Sequence, residues 1–194
     1  MVKPPLLISS AAFALRPFRG EDAASLWEAV EETRADLQRW QGIGDKDGTI
    51  QLTEARIAKW EHSFDRRERL QYAIVGEDNR VLGGCALEEI DWEALTFQLG
   101  YWLRKSASGF GYATDAARLL TTTAFRDLRG VRVSIWTDAR NTKSIGVAKR
   151  LSFSLEGRLR SERLNSLGKL QDTLVFACTN ADQVEPPSTL PVNC

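Results

Sequence analysis

Residues 106–120 read SASGFGYATDAARLL, with Gly109 and Gly111 one residue apart directly ahead of a helical run. A loop without Cβ atoms gathers backbone N–H groups, and a helix N-terminus behind it adds positive dipole, so such a stretch can hold a phosphate or another anion. Ser108 to Ala113 offers the loop and ATDAARLLTTTAF the helix, whose first turn carries Asp115. The spacing is not G-x-G-x-x-G, because position 114 is Thr, and no G-K-[ST] follows, so the dinucleotide and P-loop nucleotide readings both fit poorly. Taken alone, the two glycines read first as a strand-to-helix turn that needs glycine for its geometry, and only their context favours a cradle.

Other chemistry-bearing residue types are sparse. The single histidine, His62, lies in a polar helical stretch and reads as a surface residue. Without a second histidine there is no histidine-based metal cluster, and a Ser-His-Asp hydrolase would rest wholly on it. Cys85, Cys178 and Cys194 are odd in number and lack C-x-x-C spacing, which indicates neither a disulfide framework nor zinc, and no metal is expected. Cys85, within GGCAL, reads as a small core residue.

The elements that must position the glycine loop follow from length and periodicity. The 194 residues suit one domain, expected over 1–180, with 181–194 as a flexible tail containing three prolines. Balanced charge, 26 basic against 26 acidic residues, gives no electrostatic footprint for nucleic acid. Apolar runs such as AAFAL fall far short of the ~20 residues of a membrane span, and no signal-peptide pattern is present, so a cytoplasmic protein is expected. FALRP alternates; Asp22 is placed to cap a helix whose apolar face includes Leu26, Trp27 and Val30, and EETRADLQRW continues it to the glycines at 42, 44 and 48. A further helix, LTEARIAKWEHSF, sets Leu52, Ile57, Trp60 and Phe64 near one face. Three β-rich runs, about 70–76, 81–90 and 95–103, read as an antiparallel meander. Beyond the glycine loop come a helix from about Tyr112 to Leu128, the strand VRVSIWT, a helix from about Thr142 to Leu151, and a β-rich end that includes DTLVFACT.

Within this order, LGYWLRKSASGFGYATDAARLLTTTAF resembles the acetyl-CoA signature of the GNAT superfamily of N-acetyltransferases, Gln/Arg-x-x-Gly-x-Gly/Ala, which falls on Ser108, Gly111 and Ala113. Ser108 stands where Gln or Arg is usual. A second block, NTKSIGVAKRLSF, is similar to the family's later N-x-x-[A/S] segment, with Asn141 and Ser144 leading, Phe153 at its end and Ser152 in place of the usual glycine. The opening LRPFRGEDAASLWEAV, the helix ADLQRW and the ending LEGRLRSERLNSLGKLQDTLVFACT look most like the RimJ/RimL-like branch, which acetylates the N-termini of ribosomal proteins. The resemblance runs over about residues 12–178 in the family's order. It implies an α/β fold of α+β type: a mixed, mostly antiparallel sheet splayed near its middle, with helices on both faces.

The resemblance also implies roles. Acetyl-CoA is the expected cosubstrate, its pyrophosphate on the backbone of Gly109, Phe110, Gly111, Tyr112 and Ala113, its arm along Trp102 and Leu103, with Asn141 on the far side of the splay. Many relatives protonate the leaving sulfur with a tyrosine seven residues after the asparagine; that position is Ala148, so Ser144 becomes the candidate donor, with helix capping as its alternative role. Where relatives carry a carboxylate before L-G-Y-W, this chain has Gln98, which cannot accept a proton. Glu88 and Glu89 on the previous strand are the candidate bases, one on each face because strand side chains alternate; both are also ordinary as solvated strand residues. Trp40, ahead of QGIGDKDG, is a candidate wall of the acceptor pocket.

The expected activity is direct acetyl transfer to a primary amine, without an acyl-enzyme on Cys85. An α-amine, with a pKa near ~8, suits a weak or water-relayed base better than a lysine near ~10.4. The acceptor reading is therefore a peptide or protein N-terminus. The alternatives are a small amine, or an acyl-CoA-binding and sensing module of weak activity, kept open by the missing Tyr and Glu. The first helices, the 41–49 loop and the residues after Glu156 are expected to contact the acceptor; no nucleic-acid or membrane partner is expected, and a homodimer is possible.

Overall fold

The computed structural model describes residues 2–41, 48–164 and 168–184. Eight strands form a single sheet in the order β1-β2-β3-β4-β5-β6-β8-β7. They are β1 (Ile8–Ser9), β2 (Phe13–Pro17), β3 (Leu70–Gly76), β4 (Val81–Asp91), β5 (Thr96–Leu103), β6 (Arg132–Asp138), β7 (Ser154–Leu164) and β8 (Leu170–Cys178). All neighbours are antiparallel except β5 and β6. The mixed, mostly antiparallel sheet implied by the resemblance is therefore what forms, and the antiparallel meander read from the sequence, β3-β4-β5, occupies its centre.

Among the described residues four α-helices cover the two faces: α1 (Ala23–Gln41), α2 (Ile50–Asp65), α3 (Tyr112–Arg126) and α4 (Thr142–Arg150). On one face Leu26, Val30 and Leu37 of α1 and Ile57 of α2 pack on Ala73, Val75 and Val81. On the other, Ala116, Ala117, Leu120 and Ala124 of α3 and Val147 and Ala148 of α4 pack on Leu87, Leu99, Val133 and Ile135. The run of alanines on α3 lets that helix lie close to the sheet, which fixes where its N-terminus points. Of the apolar set read for α2, Ile57 and Phe64 are buried, whereas Leu52 is 48% exposed because it lies in the helix's first turn, off the sheet.

The start of α1 differs from the capping role expected of Asp22. Residues Gly20–Asp22 form a 3-10 turn that runs directly into α1. The Asp22 carboxylate reaches backward, accepting from Arg19 N–H at 2.8 Å and from both terminal nitrogens of Arg16 at 2.7 Å. Both side chains of this pair are buried, and leaving either one unpartnered would cost on the order of 3–5 kcal/mol. Asp22 thus locks β2 to α1. His62 is exposed on α2, as expected, and Cys85 and Cys178 are buried free thiols. Among the described residues no helix is long and apolar enough to cross a membrane.

Candidate active site

β5 and β6 are paired only over Thr96–Gln98 and Arg132–Ser134. Beyond that point β6 stays with β8 as far as Asp138, while β5 stays with β4 as far as Leu103, so the two strands part. This is the splay that the family resemblance implies, and a cleft of about 890 Å³ occupies it. Side chains alternate along each strand. Gln98, Gly100 and Trp102, together with Trp136, therefore face α1 and α2, whereas Leu99, Tyr101, Leu103 and Ile135 face α3 and α4. The lining of the cleft comes from both sets.

On the α3 side lies the glycine loop. Gly109 (φ 94°) and Gly111 (φ 87°) both adopt the left-handed region, and Gly111 is the N-cap of α3. A Cβ at Gly109 would meet nothing within 4 Å and one at Gly111 only Asp115 Oδ2 at 3.9 Å, so glycine is required here for backbone conformation and not for space. Thr114 and Asp115 donate their N–H groups to Gly111 O at 2.8 and 3.1 Å. Among the described residues the amides of 109–113 donate to no protein group. Arg150, in the last turn of α4, donates Nε–H to Thr114 Oγ1 at 3.1 Å and so sets a guanidinium beside the first turn of α3. Unengaged amides, a helix N-terminus and a cation together suit a diphosphate. Ser108 lines the same end of the cleft, with its hydroxyl donating to Arg104 O at 3.2 Å. Tyr112 and Ala113 also line it, while the Phe110 ring stacks on Tyr112 and is 69% exposed, leaving that residue's backbone as its contribution.

The loop is held in register by α1. Glu32 accepts from Arg104 Nε at 2.8 Å and from the Ser106 N–H, and Thr33 Oγ1 accepts from Lys105 N–H at 3.0 Å. Desolvation opposes ionisation of Glu32, but the Ser106 amide and the Arg104 guanidinium outweigh it and lower the carboxyl to about 2.

Across the splay, Asn141 caps α4 by accepting the Ser144 N–H at 3.2 Å. That leaves the Ser144 hydroxyl free of the capping role, and it lies 3.0 Å from the Tyr101 hydroxyl. Burial pushes the Tyr101 phenol up to about 12, against the opposing influence of Ser144 and Arg150. Ala148 is fully buried, and the phenol beside Ser144 comes from β5 instead.

On the opposite face Glu88 lines the cleft, bound to Arg69 at 2.6 Å. Burial raises its pKa, and the Arg69 guanidinium only partly offsets that. A Cβ on Gly100 would sit 2.8 Å from Glu88 Oε1, so the glycine of the L-G-Y-W segment makes room for this carboxylate. Glu89, the other candidate base, does not belong to the site. A bulge between Glu88 and Asp91 gives it φ 45°, and its side chain is exposed and does not line the cleft.

Trp102 and Leu103 line the cleft from opposite faces of β5, and Trp40 lines it from α1. Residues 42–47 of the 41–49 loop lie outside the described residues, as does 185–194 of the tail. Sequence reading missed Arg69, Tyr101 and Arg150. Tyr101 sat in view within L-G-Y-W, but its meeting with Ser144, 43 residues on, is set by the splay and not by any local pattern.

Residues 13–154 match the acetyltransferase (GNAT) domain family. A Bacillus subtilis (strain 168) protein named "Probable N-acetyltransferase YjcK" is 28% identical over 180 residues, covering 91% of this chain and 98% of that protein. Another from the same strain, "Putative ribosomal N-acetyltransferase YdaF", is 27% identical over 147 residues, 75% of this chain and 80% of that one. Among solved structures, RimL, a ribosomal L7/L12 alpha-N-protein acetyltransferase in complex with coenzyme A, superposes with a TM-score of 0.83 at 22% identity, covering 92% of this chain and 98% of that one.

Proposed function

The chain belongs to the GNAT acetyltransferase family and is an N-acetyltransferase that uses acetyl-CoA, and from that premise we propose that it moves the acetyl group in one step to the α-amine of a peptide or protein N-terminus. The observation that carries this reading is the cleft itself, with unengaged amides on one side of the splay and Glu88 on the other. Two substrates brought from opposite faces meet where β5 and β6 part, which removes any need for an acyl-enzyme. The names of YdaF and RimL, both of which refer to ribosomal-protein acetylation, support the acceptor class.

In this reading the backbone of Gly109–Ala113, with Arg150 beside it, holds the diphosphate, while β5 from Leu99 to Leu103 and Asn141 border the arm. Bound acetyl-CoA supplies the thioester. Glu88 removes a proton from the incoming ammonium, directly or through water; its raised pKa makes it a stronger base than an ordinary carboxylate. An α-amine near ~8 needs only modest help, so one carboxylate of this kind suffices. The neutral amine attacks the carbonyl, the new C–N bond forms as the C–S bond breaks, the electron pair leaves on sulfur, and the remaining extra proton on nitrogen passes to that thiolate, directly or through water, to give the amide and the free thiol. Ser144 donates its hydroxyl hydrogen bond to that sulfur. Tyr101, whose hydroxyl donates to Ser144 O at 3.3 Å and lies 3.0 Å from Ser144 Oγ, fixes the position of that serine beside the leaving group.

Calorimetric titration with acetyl-CoA, repeated on Gly111→Trp, tests the cradle: the parent binds and the variant does not. Mass spectrometry of a peptide with a free N-terminus against an N-terminally blocked peptide carrying one lysine tests the acceptor. Acetylation of the lysine peptide alone would overturn the α-amine reading.

A further inference from the structure

Four of the six tryptophans, Trp40, Trp60, Trp102 and Trp136, line the one cleft, although they come from α1, α2, β5 and β6. None of the four is fully buried, and Trp136 is 40% exposed. Tryptophan placed to hold a core together is normally covered on most sides; partly open indoles from four separate elements converging on a cavity leave apolar surface that a ligand can cover.

The register places them relative to the chemistry. Glu88 and Gln98 are partners across β4 and β5, and Gln98 is the partner of Ser134 on β6, so these three form a row at the closed end of the splay. One step toward the open end on the same face are Gly100 and Trp136, and one step further is Trp102. Trp60 and Trp102 pack against the α1/α2 core on this face. The aromatic surface thus begins one residue step from the carboxylate proposed as base and extends away from it, on the side opposite the glycine cradle. A group bonded to the carbon next to the reacting nitrogen would lie against it.

We infer that this surface is a side-chain subsite, and that the preferred acceptor carries a large apolar or aromatic substituent on the carbon bearing the amine: for a peptide, a bulky apolar first residue. The inference rests on the acceptor amine approaching from the Glu88 face, as in the proposed function. The charged group beside Glu88, Arg69, is already committed to it and, through Nε, to Gln71 Oε1 at 3.1 Å, and Gly100, Trp102 and Trp136 next to that end are uncharged; Asp36, Arg56, Lys143 and Arg163 also line the cleft. Covering a benzyl group in such a wall is worth on the order of tenfold or more in kcat/KM over a methyl group.

The test compares Phe-Gly-Gly-Gly-amide with Ala-Gly-Gly-Gly-amide at saturating acetyl-CoA, and in parallel 2-phenylethylamine with ethylamine. Intrinsic tryptophan emission is followed as each unreacted amine binds in the presence of CoA. The expected result is a Phe-to-Ala ratio in kcat/KM of about ten or more, a shift in tryptophan emission with the phenyl-bearing member of each pair only, and collapse of the ratio toward unity in Trp136→Ala. Trp136→Phe, which keeps an aromatic ring, retains most of the ratio and guards against a variant that fails to fold. Equal turnover of the two peptides with no emission shift overturns the subsite and leaves the N-terminal reading standing. Preference for 2-phenylethylamine with neither peptide acetylated keeps the subsite and overturns the peptide reading instead.

Discussion

Replacing Arg69 by methionine should move the acid limb of the pH–rate profile without abolishing activity. Arg69 touches Glu88 at 2.6 Å, with side chains 39% and 23% exposed, and its charge is what partly offsets the burial that raises the Glu88 pKa. Two unit charges ~4 Å apart interact by ~1 kcal/mol in water and ~4 kcal/mol at an effective dielectric of ~20. A pair this open to solvent belongs near the lower figure, about 1–1.5 kcal/mol, which is about one pH unit at 1.36 kcal/mol per unit. The sign follows from the charge: without the cation the carboxylate is less favoured, Glu88 holds its proton to higher pH, and the limb shifts upward. Methionine keeps the packing of the arginine stem, so loss of fold is not expected. The assay is kcat/KM for an N-terminal peptide from about pH 5 to 9, with Glu88→Gln as the companion, in which the Glu88 limb is replaced by a rise that follows the amine's own ionisation near ~8 and the rate below it falls on the order of a hundredfold. An Arg69→Met profile reduced by one factor at every pH, with its limb unmoved, would refute the assignment of Glu88 as base.

Gly111→Ala, forced to hold φ 87°, should cost about 1–2 kcal/mol and weaken acetyl-CoA on the order of tenfold by calorimetry, while thermal unfolding of the free protein shifts by only a few degrees. Ser144→Ala and Tyr101→Phe should each lower kcat with acetyl-CoA, by about tenfold or more, far more than KM; the loss should shrink with an aryl thioester, whose thiolate leaves without a hydrogen bond. Their double variant should fall little below Ser144→Ala, since both act through one hydroxyl. Glu32→Gln should lower stability at neutral pH by about 1 kcal/mol or less, since the carboxylate is partly open to solvent, read as a Tm drop of a few degrees. Because Glu32 is lowered to about 2, its contribution is complete above its ordinary carboxylate range and lost as pH falls toward 2, so the Tm gap between variant and parent should close on acidification.

The legible part of this chain was what repeats at short range. Alternation drew β3, β4 and β5 nearly residue by residue, and the glycine pair marked the N-terminus of α3, because both signals are confined to a few neighbours along the chain. Strand alternation also implied that Glu88 and Glu89 face opposite ways, but which of them meets the cleft depends on how β4 pairs with β5 across the bulge. The contacts of Tyr101 with Ser144, Arg69 with Glu88 and Arg150 with Thr114 join elements whose registers the sequence does not state. For the same reason Trp40, Trp60, Trp102 and Trp136, which the sequence shows only as a candidate pocket wall, part of a helix face, a border of the cofactor arm and part of a strand, are brought around one opening only by the sheet.

The parting of β5 and β6 has a thermodynamic consequence for the whole molecule. A sheet of eight strands forfeits part of its central ladder between Leu99–Leu103 and Ile135–Asp138, at the place where a fold ordinarily invests most in cohesion. Whatever fills that seam bridges two half-sheets that otherwise lean on helices and on three residue pairs. Cosubstrate binding is therefore also a mechanical closure: at ~100 times its Kd a ligand adds about 2.7 kcal/mol to stability, and here that gain should register as slowed amide hydrogen exchange across both halves of the sheet, well away from the atoms the ligand touches.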